Sequence, residues 1–310
     1  MLEECRLRKS AILGKEVGLS ANMAMIGKTC LVTGATGGIG KATATALARL
    51  GATVVMVARD RRRGDGVAAE IRQQVPGAVI DLVVADLSSQ AQVRQLASEF
   101  RTRHPRLDVL VNNAAAVNAE RHVTVDGLEA TLAVNHLAPF LLTHLLAESL
   151  IAARPSRVVN VTSYLHNMVK SIPLDDLQAE SNYRSHAVYN LTKLMNILFT
   201  YQLAKRWRGQ GVTSNCLHPG WPLKTELGRE EHGIAGLFDR ASKLFASSAE
   251  NGSRTTVYLA SSQEVDGVTG SYFSNCKLGK SSPLSHDELL AERLWERSVE
   301  LCGLAALNPG

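Results

Sequence analysis

The stretch Thr29-Cys30-Leu31-Val32-Thr33-Gly34-Ala35-Thr36-Gly37-Gly38-Ile39-Gly40 decides how this chain is read. Its first five residues form a short β-branched run that reads as a buried strand, and the glycines turn that strand into a helix starting near Ile39. Glycine permits positive φ and close backbone approach, and a helix N-terminus offers unpaired N–H groups and a positive dipole end. A pyrophosphate suits such a place. The spacing is G-x-x-x-G-x-G over Gly34, Gly38 and Gly40, not the commoner G-x-G-x-x-G; with Thr36 and Ile39 these residues are the candidate cradle. A plain tight turn is the competing reading, and a position in the first βαβ unit weighs against it.

Outward from this loop, short β-branched runs alternate with longer helical stretches, the pattern of βαβ units and a parallel sheet. Strands are expected at 29–33, 53–58, 79–85, 108–111, 157–162, 212–217 and 270–273, and helices at 39–50, 62–74, 90–103, 128–150 and 187–207. The 310 residues would permit two domains, but there is no linker, repeat or low-complexity segment. The fold class is therefore α/β, one doubly wound domain of about seven parallel strands over 27–303. An extension, 1–26, precedes it and a tail, 304–310, follows. The segment 220–248 mixes charges with Leu223, Leu227, Ile234, Leu237, Phe238, Leu244 and Phe245, as expected of a helical lid over the ligand crevice.

Composition excludes several classes. Apolar residues make up 45 % and charged residues 20 %, which suits a globular core. The net charge of +5, with no basic block longer than Arg59 to Arg63, argues against a nucleic-acid partner. Five scattered cysteines without a CxxC suit reduced thiols and a cytoplasmic location, and no apolar run reaches the ~18 residues of a membrane span. Residues 1–26 lack the continuous apolar run of a secretory signal.

The strand ends carry the chemistry. The second strand ends at Ala58 and is followed by Arg59, whose guanidinium suits the 2′-phosphate of NADP(H); Asp60, the residue an NAD site would want, is placed one step into the loop. Asp86, with Leu87 beside it, ends the third strand and either accepts from an adenine amino group or caps a helix. Ser163 ends the fifth strand, where its hydroxyl can meet a substrate oxygen. Tyr189 and Lys193 stand at i and i+4 on one helical face, where an ammonium would lower the phenol pKa and provide a proton donor for a carbonyl or a base for an alcohol. His218-Pro219-Gly220 ends the sixth strand, where backbone could meet a nicotinamide amide.

These motifs, TGATGGIG, NNA, Asn135, Ser163, YNLTK and HPG in this order, resemble those of the short-chain dehydrogenase/reductase family over nearly all of 27–303. Within it the chain is similar to the retinol dehydrogenase-like branch, through Ala58-Arg59-Asp60, Lys193 to Thr200, and Thr269 to Phe273 leading to Arg293-Leu294-Trp295-Glu296. The resemblance implies a Rossmann fold, a preference for NADP(H), and Asn113 and Ala114 on the cofactor side. It implies Tyr189 as general acid/base, Lys193 lowering its pKa and binding nicotinamide ribose hydroxyls, Ser163 orienting the substrate oxygen, and Asn135 holding a water in the relay to Lys193. A carbonyl and an alcohol on a fairly large apolar small-molecule substrate would be interconverted. C=C reduction, epimerisation or dehydration on the same scaffold, or a non-catalytic NADP-binding regulator, are the alternatives.

Two departures from the family pattern stand out. Ala115 replaces the usual glycine after Asn112-Asn113-Ala114, and the run after Pro219-Gly220 is one residue longer than usual, which puts Thr225 in doubt as a nicotinamide contact. Trp221 and Tyr164 are candidate substrate contacts, with lid packing the competing role for Trp221. His136, His166 and His186 do not make a metal-ligand set and are read as polar-core or capping residues. Apolar faces over 137–146 and 194–203 are compatible with a homodimer or homotetramer, and equally with burial inside the chain.

Overall fold

The computed structural model describes residues 24–220 and 249–304. The first half alternates β1 (Thr29–Thr33), α1 (Gly38–Arg49), β2 (Thr53–Ala58), α2 (Arg61–Gln74), β3 (Ile80–Val84), α3 (Gln90–Arg103) and β4 (Val109–Asn112). A broken helical stretch follows: α4 (Ala130–Leu132), a π turn (Ala133–Leu137), α5 (Ala138–Leu145) and α6 (Ala147–Ala153). Then come β5 (Ser156–Val161), a 3-10 turn (Tyr164–Met168), α7 (Ser185–Arg206), β6 (Val212–His218), α8 (Ala249–Ser261), β7 (Ser271–Ser274), β8 (Lys277–Leu278) and α9 (Glu288–Leu301).

Among the described residues all eight strands lie in one sheet of order β3-β2-β1-β4-β5-β6-β7-β8. Neighbours from β3 to β7 pair parallel, and the seven expected strands are all present within a residue or two; β8, antiparallel on β7, is an addition. Parallel strands are covered on both faces, so their residues are apolar in unbroken runs rather than in alternation. In β1, Leu31 packs into a core with α3, α5, α7 and α9, whereas Cys30 and Val32 face a second core with α1, α2 and α8. The order reverses between β1 and β4, which opens a crevice at the C-terminal strand ends.

The expected single helix over 128–150 is interrupted. Pro139, in the first turn of α5, has no N–H to give four residues back, and the backbone widens into the π turn just before it. The faces at 137–146 and 194–203 are buried inside the chain. Helix α9 lies across them, with the Trp295 ring 5.0 Å from Phe140 and 6.0 Å from Phe199 between ring centroids. The Arg206 guanidinium stacks over that indole, 4.5 Å from its centre. Of the expected lid over 220–248, only Gly220 belongs to the described residues, so Trp221 and Thr225 lie outside them. Among the described residues no single helix is long and apolar enough to cross a membrane.

Candidate active site

The glycine loop is pinned to the end of β4. Thr33 Oγ1 accepts from the backbone N–H of both Asn113 and Ala114, each at 3.0 Å, and Asn113 Nδ2 donates to the Thr33 carbonyl at 2.8 Å. Asn113 thus supports the cradle from beneath. A Cβ on Gly40 would come within 2.2 Å of the Gly34 carbonyl oxygen and 2.4 Å of Asn113 Nδ2, so this position admits only glycine. Gly34 itself has φ of 65°, in the left-handed region. Helix α1 opens at Gly38, with Ile39 and Gly40 buried in its first turn and Thr36 half-buried in the loop before it. Its cap residue, Gly37, makes no side-chain hydrogen bond to the first-turn N–H groups. Those donors fit an anion supplied by a ligand.

At the next strand end, Arg59 is exposed and Asp60 is committed as the N-cap of α2, accepting from the Arg63 N–H at 2.7 Å. Asp86 is half-buried. Its Oδ1 accepts from the Ser88 N–H at 2.9 Å, while the N-cap of α3 is Ser89 rather than Asp86. Leu87 lines a small cavity with Thr33, Asn112, Ala114 and Asn135, and Asn112 Oδ1 is a buried acceptor without a hydrogen-bond partner among the described residues.

The catalytic candidates converge from β5 and α7. Ser163 follows β5, and its Oγ caps the 3-10 turn by accepting from the Leu165 N–H at 3.2 Å. Ser163 also hydrogen-bonds the Tyr189 phenol, which brings together two residues far apart in sequence. Lys193 is buried, and its Nζ lies 5.4 Å from the centre of the Tyr189 ring and donates to the Val161 carbonyl at 3.2 Å. Among the described residues that carbonyl is its one acceptor, so an ammonium with three protons keeps donors for ribose hydroxyls. Lys193 and the uncapped α1 N-terminus together fit a dinucleotide.

Burial pushes the Tyr189 phenol up to about 12, partly offset by the Ser163 hydrogen bond. Burial also brings Lys193 down to about 8. Desolvation disfavours each charged form, and the ammonium sits over the ring rather than against the oxygen.

Asn135 is buried, and both polar atoms of its side chain have partners. Oδ1 accepts from the Ala116 N–H at 2.7 Å, and Nδ2 donates to the Ala116 carbonyl at 2.9 Å and to Thr192 Oγ1 at 3.2 Å. The side chain is therefore a clamp between the β4 loop and α7. Thr192 had no role in the sequence reading, although it stands within YNLTK.

Around the site, His166 Nε2 accepts from the Ser282 N–H at 3.0 Å, which sets its proton on Nδ1 facing the Ser163 carbonyl at 2.7 Å. His166 and His136 are polar-core residues, as expected. Tyr164 is exposed and its ring lies 5.8 Å from that of His218. Pro219 and Gly220 are half-buried at the end of β6, where the Gly220 N–H donates to His218 Nδ1 at 3.1 Å.

A family model described as short chain dehydrogenase matches residues 28–232. The chain is 43 % identical to human retinol dehydrogenase 14, over 90 % of this chain and 88 % of that protein. It is 40 % identical to human retinol dehydrogenase 12, over 91 % and 89 %. Among solved structures, an uncharacterised protein of Mycobacterium paratuberculosis superposes with a TM-score of 0.73 at 31 % identity, covering 90 % of this chain and 94 % of that one. A Beutenbergia cavernae protein described as an NAD(P)-dependent gluconate 5-dehydrogenase with bound NADP gives 0.66 at 28 % identity, covering 82 % and 97 %.

Proposed function

The chain belongs to the short-chain dehydrogenase family, and from that premise we propose that it is an NADP(H)-dependent oxidoreductase that interconverts a carbonyl and an alcohol, with Tyr189 as general acid/base. The observation that carries the reading is the meeting of Ser163, Tyr189 and Lys193. A hydroxyl, a phenol and a buried ammonium come together from two elements at the C-terminal end of the sheet. A nicotinamide cofactor, when bound, supplies or takes the hydride.

The chain's own residues do the rest. Ser163 donates to the substrate oxygen and orients it. Tyr189, held protonated by burial, gives its proton to that oxygen as negative charge develops, which suits the reduction direction. Lys193 uses its remaining protons on ribose hydroxyls and, with its charge, favours phenolate once the proton has left. Gly34, Gly38 and Gly40 admit the pyrophosphate, and Pro219 and Gly220 offer backbone to the nicotinamide side. NADP(H) rather than NAD(H) is supported by Arg59 standing exposed at the β2 end while the neighbouring carboxylate of Asp60 is tied to a helix.

A fairly large apolar substrate is supported by the apolar residues of the segment that follows β6 in the sequence, Leu223, Leu227, Ile234, Leu237, Phe238, Leu244 and Phe245. The names of the relatives make retinoid aldehydes a natural first probe. The test is NADPH oxidation, followed by absorbance, against a panel of short and long aldehydes and ketones that includes retinal. Turnover that rises with the length of the apolar chain supports the proposal; turnover confined to small polar carbonyls contradicts the substrate class.

A further inference from the structure

The helix carrying Asn135 is broken at the residue that the relay needs. Because Pro139 has no N–H, the Asn135 carbonyl receives no hydrogen bond from the residue four positions on. An amide from α7 takes that place, with Asn196 Nδ2 donating at 2.7 Å. The contacts then run away from the crevice. Asn196 Oδ1 is 3.0 Å from His136 Nδ1, and His136 Nε2 is 2.9 Å from Ser298 Oγ on α9. All four residues are buried.

The direction of every bond follows from the one group that has no proton to give. A carbonyl only accepts, so Asn196 presents Nδ2 to Asn135 and Oδ1 to the histidine. His136 must then carry its proton on Nδ1, and Nε2 is left to accept from the Ser298 hydroxyl. The opposite orientation would set Asn196 Oδ1 against the Asn135 carbonyl. Burial lowers the His136 imidazole to about 4, so the neutral ring that this arrangement requires is the form present at neutral pH. Ser298 Oγ also lies 2.7 Å from the Leu294 carbonyl, a second acceptor for the same proton.

We propose that Ser298, His136 and Asn196 are positioning residues: a buried hydrogen-bond chain from the C-terminal helix that fixes the Asn135 carbonyl for the proton relay to Lys193. The proposal rests on the carbonyl–alcohol reading above. One lone pair of the Asn135 carbonyl is held by Asn196, which leaves the other for a relay water. With its side chain clamped to Ala116 and Thr192, Asn135 is held from both sides, and helix α9 becomes part of the catalytic apparatus without touching substrate or cofactor.

The test uses the full-length enzyme and three variants. Ser298→Ala removes the outermost link and should lower kcat roughly 3- to 30-fold, the range of coupling through such networks. NADPH binding, read by fluorescence, should stay within about twofold of wild type, since no member of the chain touches the nicotinamide site. The solvent deuterium isotope effect on kcat should rise as proton transfer becomes limiting. Ser298→Thr keeps the hydroxyl and should restore both. Asn196→Asp, nearly isosteric, sets a carboxylate oxygen against the Asn135 carbonyl and should lower kcat further while circular dichroism shows a folded protein. If Ser298→Ala and Asn196→Asp change the melting temperature but leave kcat and the isotope effect per folded molecule as in wild type, the chain is packing only and the proposal fails. An inactive wild type would instead refute the carbonyl–alcohol reading, and the relay with it.

Discussion

Replacing Lys193 with Met should make the protein more stable while removing its activity. The ammonium is buried, and its pKa falls from 10.5 to about 8 through desolvation. At about 1.4 kcal/mol per unit, holding that charge in the fold costs about 3 kcal/mol at neutral pH. Methionine fills much the same volume without charge. Losing the hydrogen bond to the Val161 carbonyl returns about 1 kcal/mol, so the net gain is about 2 kcal/mol and the melting temperature should rise by roughly 4 °C. The pH dependence gives an independent check. Because the folded pKa lies below the unfolded one, the unfolded chain binds the extra proton between about pH 8 and 10.5, and wild-type stability rises with pH across that window. Below pH 8 both states are protonated and the penalty is fully present, so the variant's advantage should be largest there and should shrink as pH approaches 10.5. Urea unfolding followed by circular dichroism at pH 7 and pH 10 measures this. A variant no more stable than wild type at pH 7, or an advantage that does not shrink by pH 10, would refute the desolvation argument.

Gly40→Ala should abolish dinucleotide binding and destabilise the fold by more than about 2 kcal/mol, because the added methyl meets the Gly34 carbonyl and the Asn113 amide, both fixed. Calorimetric titration with NADPH and thermal unfolding read the two effects, and unchanged binding would show that the loop is not the cradle. Arg59→Ala should weaken NADPH at least about tenfold while changing NADH little, the worth of a charge-assisted guanidinium–phosphate contact. Equal losses for both cofactors would remove the 2′-phosphate role.

The strands were legible because a sheet covered on both faces needs unbroken apolar runs, and β2 reads as one such run from Val54 to Ala58. The interruption before α5 was not, since apolar residues continue through it; only the missing N–H of Pro139 marks the place, and its consequence depends on Asn196 arriving from another helix. Helices α8 and α9 were likewise not read as helices, and the covering of α5 and α7 by α9 is a tertiary fact that no local periodicity states. At the site, motif order was enough to bring Ser163, Tyr189 and Lys193 together. The spacing of Tyr189 and Lys193 predicted their neighbourhood but not the burial that raises the phenol, because an i, i+4 relation carries no information about burial or about where on the ring an ammonium lies. The clamp made by the Asn135 side chain was equally invisible, since its partner Ala116 contributes only backbone atoms.

If the Tyr189 hydroxyl moves the proton, its removal must stop turnover and spare cofactor binding. Tyr189→Phe removes one oxygen and leaves the ring under Lys193, so NADPH affinity measured by fluorescence titration should be nearly unchanged while turnover on an accepted carbonyl falls by at least about a thousandfold. Turnover within a few-fold of wild type would show that another group moves the proton.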